Sequence, residues 1–266
     1  MSVTYSSYLK LNELLDLQEP LSEGPEHDEL LFIVIHQVYE LWFKQTLHEI
    51  DRLSGLFLGL IDAGGDLDRH ADILQTQRRA LTILKTMVAQ IDVLETMTPM
   101  SFNSFRTRLD TASGFQSPQF RELEFVLGRR QRAMLKFHEQ NRPAMKRLSR
   151  RLEEPSLYQA FLHYVKASGY EVPDAAFELS EKPIEMAELR ATFIEVYRGN
   201  HLLTQVCERL VDYDEGLQEW RYRHVKMVER TIGTKKGTGG SPGAAYLRQT
   251  LFQPVFPDLW TIRADL

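Results

Sequence analysis

One predicted helix near the end of the chain pairs a single histidine with an apolar face. Helical spacing puts His224 beside Trp220, Met227, Val228 and Thr231, so one imidazole projects from a mostly apolar wall. Such a wall suits a flat macrocycle such as haem, to whose iron the imidazole would donate a nitrogen lone pair. The pattern alone leaves a more ordinary alternative open, in which this histidine hydrogen-bonds a neighbour on the surface or in the core.

A glycine-rich loop follows that helix directly and has glycines at positions 233, 237, 239, 240 and 243. Backbone without side chains can approach a ligand closely and close over it, and the Thr238 hydroxyl could bind an ammonium or carboxylate group. Ser113 and Gly114 form a second point of close approach. The Walker A pattern GxxxxGK[ST] does not occur, so the glycines do not indicate a P-loop. A flexible surface connection is the alternative.

A second histidine, His36, lies on a long predicted helix among aromatic residues. Phe32, Tyr39 and Phe43 share its helical face. A neutral imidazole in an aromatic pocket could accept or relay a substrate proton. The alternative is a core histidine whose ring nitrogens are satisfied by neighbouring groups.

One arginine, Arg106, shares a predicted helical face with Phe102, Phe105 and Leu109. A guanidinium bordered by apolar side chains could hold a carboxylate through two parallel hydrogen bonds, beside an apolar group of the same ligand. The pattern therefore predicts an aromatic amino acid or aromatic acid as ligand. A solvated or salt-bridged arginine is the alternative.

The usual metal-binding signatures are missing from the eight histidines. None has glutamate three residues earlier, as di-iron carboxylate bundles require, and neither HExxH nor a Cys/His pair at zinc spacing occurs. Cys207 is the only cysteine, which excludes an intramolecular disulfide and the CxxCH attachment of a covalent haem. A bound metal would therefore come in a cofactor that brings most of its own ligands.

Composition predicts an ordinary globular protein in a reducing compartment. Hydrophobic residues make up 43% and charged residues 26% of the 266 positions, and the net charge is −5. Because basic residues are mixed with acidic ones, no surface for nucleic acid or anionic lipid is expected. The N-terminal sequence lacks the apolar core of a signal peptide, and the longest apolar run, 30–35, is too short to span a bilayer. We expect a cytoplasmic protein.

Helical periodicity dominates the chain and predicts an all-α fold, a helical bundle with two long antiparallel core helices plus shorter helices. The apolar run LFIVI could also form a buried strand, but its continuation at 3.6-residue spacing favours helix. We expect one domain over 1–266, with the cofactor pocket between helices. The predicted helices cover 28–60, 67–96, 100–109, 118–128, 143–153, 155–168, 185–211 and 214–232.

Six segments of the chain resemble the tryptophan 2,3-dioxygenase family, haem enzymes that open the indole ring of L-tryptophan. They are TYSSYLKLNELL, HDELLFIVIHQVYELWFK, LETMTPMSFNSFR, SGFQSPQFRELEFVLG, EEPSLY and WRYRHVKMVERTIGTKKGTGGSPG. They occur in the family's order and extend over nearly the whole chain. Between 129 and 185 only EEPSLY matches, and no function is assigned to that stretch.

The resemblance implies roles for the residues singled out above. His224 would be the axial ligand to the iron of haem b, whose active form is ferrous. His36 would be the catalytic histidine that faces the indole N–H, and Phe32 would border the indole ring. Arg106 would hold the substrate carboxylate, and Thr238 would contact both the carboxylate and the ammonium group.

The resemblance also implies contacts from a second subunit. The family forms homotetramers with intertwined N-termini, so Tyr5, Tyr8 and Leu9 would bind substrate in a neighbouring subunit, and 1–25 would pack there. Ser113 and Gly114 would lie close to the haem.

One position departs from the family pattern. Some bacterial relatives carry, in place of Phe102, a tyrosine that contacts the substrate carboxylate, so Arg106 and Thr238 would hold that group with less help. The implied reaction cleaves the indole C2–C3 bond of L-tryptophan with O₂ and gives N-formyl-L-kynurenine, the first step of tryptophan degradation by the kynurenine pathway. A non-catalytic haem sensor or carrier and a cofactor-free helical scaffold are the alternatives.

Overall fold

Apolar residues recur at helical spacing over most of the chain, and helices form accordingly. The computed structural model describes residues 2–24, 26–238 and 243–266, and within these ranges it contains helices and no strands. The predicted all-α class is therefore confirmed. In chain order the α-helices are α1 (Tyr5–Leu9), α2 (Leu11–Leu15), α3 (His27–Phe57), α4 (Asp66–Leu94), α5 (Pro99–Phe105), α6 (Pro118–Val126), α7 (Arg142–Glu153), α8 (Leu157–Ala167), α9 (Ala187–Gly199), α10 (His201–Ile232), α11 (Ala244–Arg248) and α12 (Pro257–Thr261).

The predicted pair of long antiparallel helices is present as α3 and α4. Arg52 pairs with Asp72 near the connecting turn, and the Tyr39 hydroxyl donates to the Met87 carbonyl towards the other end. Their apolar faces meet in the main core, where each fully buried leucine, isoleucine or phenylalanine contributes roughly 1.5–3 kcal/mol. Among the described helices, none combines the length and apolar character needed to cross a bilayer.

A third long helix, α10, packs along α4 and runs parallel to it. The Gln77 side chain donates to the Val206 carbonyl at 3.1 Å. Further along both helices, the Arg223 guanidinium pairs with Asp92. The core therefore consists of three long helices, one more than the sequence predicted.

The extra helix arises because the predicted break between 185–211 and 214–232 is wrong. The division lies instead at Asn200, whose side chain accepts a hydrogen bond from the Leu203 N–H at 3.0 Å and caps α10. The helix continues through the predicted break at 212–213, and Asp214, the next residue, is fully buried.

The segment around Arg106 is tighter than predicted. The expected helix over 100–109 is an α-helix only to Phe105, and Arg106–Leu109 forms a 3₁₀ turn. The next helix begins at Pro118 as predicted, and Gly128 follows its end in a left-handed conformation, with φ of 88°.

The N-terminal helices α1 and α2 bury no side chain in their own chain. Tyr5 and Tyr8 are each 76% exposed. The residues after α2 are fixed on α3 by the buried Glu29, whose carboxylate accepts the Leu21 and Ser22 N–H groups at 2.7 and 3.0 Å. The residues that join α2 to α3 are thus held in place, while the apolar side chains of α1 and α2 remain uncovered.

Candidate active site

A cavity opens between α3, α5, α6 and α10, and residues 243–250 complete its wall. Its volume, counted as the space open to the centre of a water molecule, is about 310 Å³. Most of the lining surface is apolar, with a few polar groups between. Of the residues predicted from the sequence, the cavity brings together His36, Phe102, Arg106, Ser113, Gly114, His224 and Thr238.

The ring of His36 enters the cavity from α3 in a defined tautomer. Its Nδ1 lies 2.6 Å from the Phe32 carbonyl oxygen, which can only accept, so Nδ1 carries the proton and donates. Nε2 of the neutral ring is therefore left as an acceptor for a ligand. Burial lowers the pKa of His36, although the hydrogen bond to Phe32 and the charge of Glu40 oppose the shift. The neutral ring is thus favoured at neutral pH.

The second imidazole, that of His224, reaches the same cavity from α10. Its ring stacks on Trp220, with 5.4 Å between ring centroids and 6° between ring planes. Burial, together with the nearby charge of His36, lowers the pKa of His224 to about 4. A neutral imidazole held on a long helix is the form that binds a metal ion.

Two polar contacts hold the loop after α10 against the segment that follows α5. The Arg106 guanidinium donates to the Lys236 carbonyl, and the Thr238 hydroxyl donates to the Ala112 carbonyl. Arg106 and Thr238 thus face the same part of the cavity wall, as their predicted roles require. Two other glycines of the predicted loop, at positions 239 and 240, lie outside the described residues.

The two ends of the described loop touch at Gly243. This glycine has φ of 64°, and a Cβ atom on it would lie 2.7 Å from the Lys235 carbonyl oxygen. Both the conformation and the contact require glycine. At the other predicted loop, Ser113 caps a 3₁₀ turn through the Phe115 N–H, and a Cβ on Gly114 would meet no atom within 4 Å.

The aromatic residues predicted to border a substrate form one cluster. Phe32 lies against His36, with 4.1 Å between ring centroids, and against Phe102 at 5.7 Å. Phe102 lines the cavity, whereas Phe32 supports its wall from behind. Tyr8 and Leu9, like Tyr5, do not line the cavity of their own chain.

A buried charge cluster at the cavity was not predicted from the sequence. Arg121 and Arg221 line it together with Glu124, which forms an ion pair with Arg121 and lies 3.7 Å from Arg221. Burial lowers the pKa of Arg221 to about 10, so it stays protonated at neutral pH. Two cations and one anion leave a net positive charge. Neither arginine stands out in the sequence, because arginine on a helix is usually solvated.

Comparisons with known proteins identify the family of the chain. The sequence matches the family model described as Tryptophan 2,3-dioxygenase over residues 1–182 and 184–266. It is 58% identical over 267 residues to a tryptophan 2,3-dioxygenase of Herpetosiphon aurantiacus, covering 100% of this chain and 99% of that protein. Relatives with the same name from Anaeromyxobacter dehalogenans and Caulobacter vibrioides are 54% and 45% identical, over 100% and 99% of this chain and 97% and 98% of their own. The chain therefore belongs to the tryptophan 2,3-dioxygenase family.

Proposed function

We propose that the protein is a haem-dependent dioxygenase that cleaves the indole C2–C3 bond of L-tryptophan with O₂ and releases N-formyl-L-kynurenine. Family membership supports the reaction. The observation that carries the proposal is the presence of two neutral imidazoles, His36 and His224, on two helices that line one cavity. His224 would bind the cofactor, and His36 would bind the substrate.

Haem b fits the side chains of this cavity. His224 would hold the haem iron through a neutral ring nitrogen, and apolar side chains of the cavity would surround the cofactor. The two propionate groups of haem b would bind Arg121 and Arg221. These two positive charges outnumber the single negative charge of Glu124. Within the described part of the chain, the buried Nε of Arg121 has no hydrogen-bond partner, as expected of a group that awaits an anion. When bound, haem supplies the redox-active iron at which O₂ is activated.

The remaining polar groups suit an α-amino acid. Arg106 would bind the substrate carboxylate, and Thr238 would contact the carboxylate and ammonium groups. Both now bond neutral carbonyl oxygens of the loop segments. A carboxylate would displace those carbonyls because charge-assisted hydrogen bonds are stronger. Ser113 and Gly114 would lie beside the haem, where the open space at Gly114 admits a close neighbour.

The indole ring would lie against Phe102 in the pocket that Phe32 supports. His36 would accept a hydrogen bond from the indole N–H at Nε2, the nitrogen that its bond to the Phe32 carbonyl leaves free. An indole N–H is a very weak acid, so His36 orients the substrate rather than deprotonating it before the reaction. Orientation and exclusion of water then lower the barrier.

The oligomer is proposed to complete the site. Tyr5, Tyr8 and Leu9 are exposed in their own chain, as residues would be whose partner lies in a second copy. We therefore propose a homotetramer of single domains, each spanning 1–266, in which these residues contact the substrate of a neighbouring subunit.

The reaction is tested directly by supplying L-tryptophan and O₂ to the haem-loaded, reduced protein. N-formylkynurenine should accumulate, and tryptamine, which lacks the carboxylate for Arg106, should be a poor substrate. A haem sensor or carrier would bind both haem and L-tryptophan without forming product. The His224→Ala variant should purify largely without tightly bound haem, and a native-like haem spectrum in that variant would refute the axial assignment.

A further inference from the structure

The C-terminal residues that complete the cavity wall have little apolar support of their own. Tyr246, Leu247 and Thr250 line the cavity, yet none of residues 245–254 is fully buried. By contrast, Val255 and the residues after it lie in the main core. Beside the contact of Tyr246 with Phe115, at 5.3 Å between ring centroids, polar contacts with other elements therefore help to position the wall.

Two of these contacts come from buried arginines. Arg221 on α10 donates to the Thr250 carbonyl at 3.1 Å. Arg129 donates to the side-chain oxygen of Gln253 at 2.9 Å. These two bonds hold the C-terminal segment 243–256 at Thr250 and Gln253.

A single buried carboxylate, that of Asp214 on α10, binds the end of this segment, where it enters the main core. One of its oxygens accepts the N–H groups of Val255 and Phe256 at 2.8 and 3.1 Å, and the indole N–H of Trp260 at 3.0 Å. Asp214 has no exposed surface, and hydrogen bonds to an ionised acceptor are stronger than neutral ones. Two backbone N–H groups and one indole N–H thus define where the C-terminal segment meets α10.

We infer that Asp214 is a positioning residue of the cofactor cavity. It does not line the cavity and acts through the segment that does. It precedes His224 by ten residues on α10, roughly 15 Å along the axis, so one helix carries both the imidazole and the support of the wall beside it. The inference rests on the proposed haem site, because it concerns how closely the wall encloses that cofactor.

The Asp214→Ala variant tests this role, since it leaves three buried donors without their acceptor. Titration of the apoprotein with ferric haem, followed by absorbance, should give a Kd at least tenfold weaker than that of the wild type, with an unchanged circular dichroism spectrum. The matched control is Asp212→Asn, two residues earlier on α10, where a half-exposed carboxylate pairs with Arg209. This control should bind haem like the wild type.

Two further measurements keep the test decisive. If Asp214→Ala does not fold, Asp214→Asn retains an acceptor oxygen without its charge and should weaken haem binding about threefold. Trypsin should also cleave after Arg248 faster in either variant than in the wild type, because the wall segment is released. A folded variant with wild-type haem affinity and wild-type cleavage would overturn the inference. If the wild type itself binds no haem, the proposed function fails, while the cleavage rates still decide whether Asp214 holds the wall.

Discussion

The two imidazoles of the cavity differ in what their ring nitrogens can still do. His36 commits Nδ1 to the Phe32 carbonyl and keeps Nε2 as an acceptor. His224 lies flat on Trp220, with its pKa lowered to about 4. The sequence singled out both histidines by their helical neighbours, and the resemblance to the family supplied their predicted roles. It could not give the tautomer, because that depends on where a backbone carbonyl points after folding.

The protonation of His36 predicts an acid limb in the pH profile. Burial lowers its pKa below 6.5, so the accepting Nε2 is available above that lowered value and is lost as the pH falls through it. We expect kcat/KM for L-tryptophan to decline on the acid side, below pH 6.5. The His36→Ala variant should keep haem and reduced turnover but lose this limb. A complete loss of turnover with normal haem and substrate binding would instead indicate an obligatory base.

The guanidinium of Arg106 is expected to dominate substrate affinity. In the Arg106→Leu variant, L-tryptophan should bind about 30-fold more weakly, which corresponds to roughly 2 kcal/mol for loss of a partly screened charge pair. A spectroscopic titration of the haem protein measures this. Arg108→Leu is the matched control, because Arg108 lies on the same 3₁₀ turn but pairs with Glu26. Equal affinities in the two variants would remove Arg106 from the substrate site.

The charge cluster of Arg121, Arg221 and Glu124 shows the limit of prediction from single residues. Each is an ordinary helical residue in the sequence, and their shared burial depends on how α6 packs beside α10. By contrast, helical spacing singled out Arg106 together with Phe102, and both residues line the cavity.

At the level of elements, the long helices were predictable and their ends were not. The spacing of apolar residues gave α3 and α4 to within a few residues. The division of α10 was misplaced at 212–213, because Asp214 is held inside by its bonds to the distant C-terminal segment, which local spacing does not show. A tertiary contact thus overrode the local signal.

The packing of α10 against α4 is tight at a glycine. A Cβ atom on Gly216 would lie 3.1 Å from the buried Leu84 side chain. We expect Gly216→Val to lower the free energy of unfolding by about 1–3 kcal/mol through overpacking. Gly199→Val, at the end of α9 with no atom within 4 Å of its Cβ position, should change it by about 0.5 kcal/mol or less. Denaturant unfolding of both variants makes the comparison, and equal losses would contradict this account of the packing.

At the scale of the whole molecule, the apolar side chains of α1 and α2 remain uncovered in a single chain. If the N-terminal segment serves the cavity of a neighbouring subunit, two subunits with different defects should complement each other. A variant lacking residues 2–9 and the Arg106→Leu variant should each be weakly active. In the proposed homotetramer, mixed assemblies should regain turnover, because intact pockets then receive intact N-terminal segments. Activity is measured on mixed assemblies isolated with two different tags.

The control for that experiment combines both changes in one subunit. Mixed with the truncated protein, this double variant supplies no N-terminal segment, so turnover should stay low. Absence of restoration in the first mixture would show that each chain serves its own cavity, and restoration in this control would show that turnover does not depend on the N-terminal segment.

The close contact of Gly243 with the Lys235 carbonyl bears on how this protein could be re-engineered. A side chain at position 243 would force the two arms of the loop apart. Glycine should therefore be kept at this position in any library of variants. Randomising positions 236–238 alone would alter the lining beside Arg106 while leaving that closure intact. Variants with altered recognition of the carboxylate and ammonium groups are best sought there.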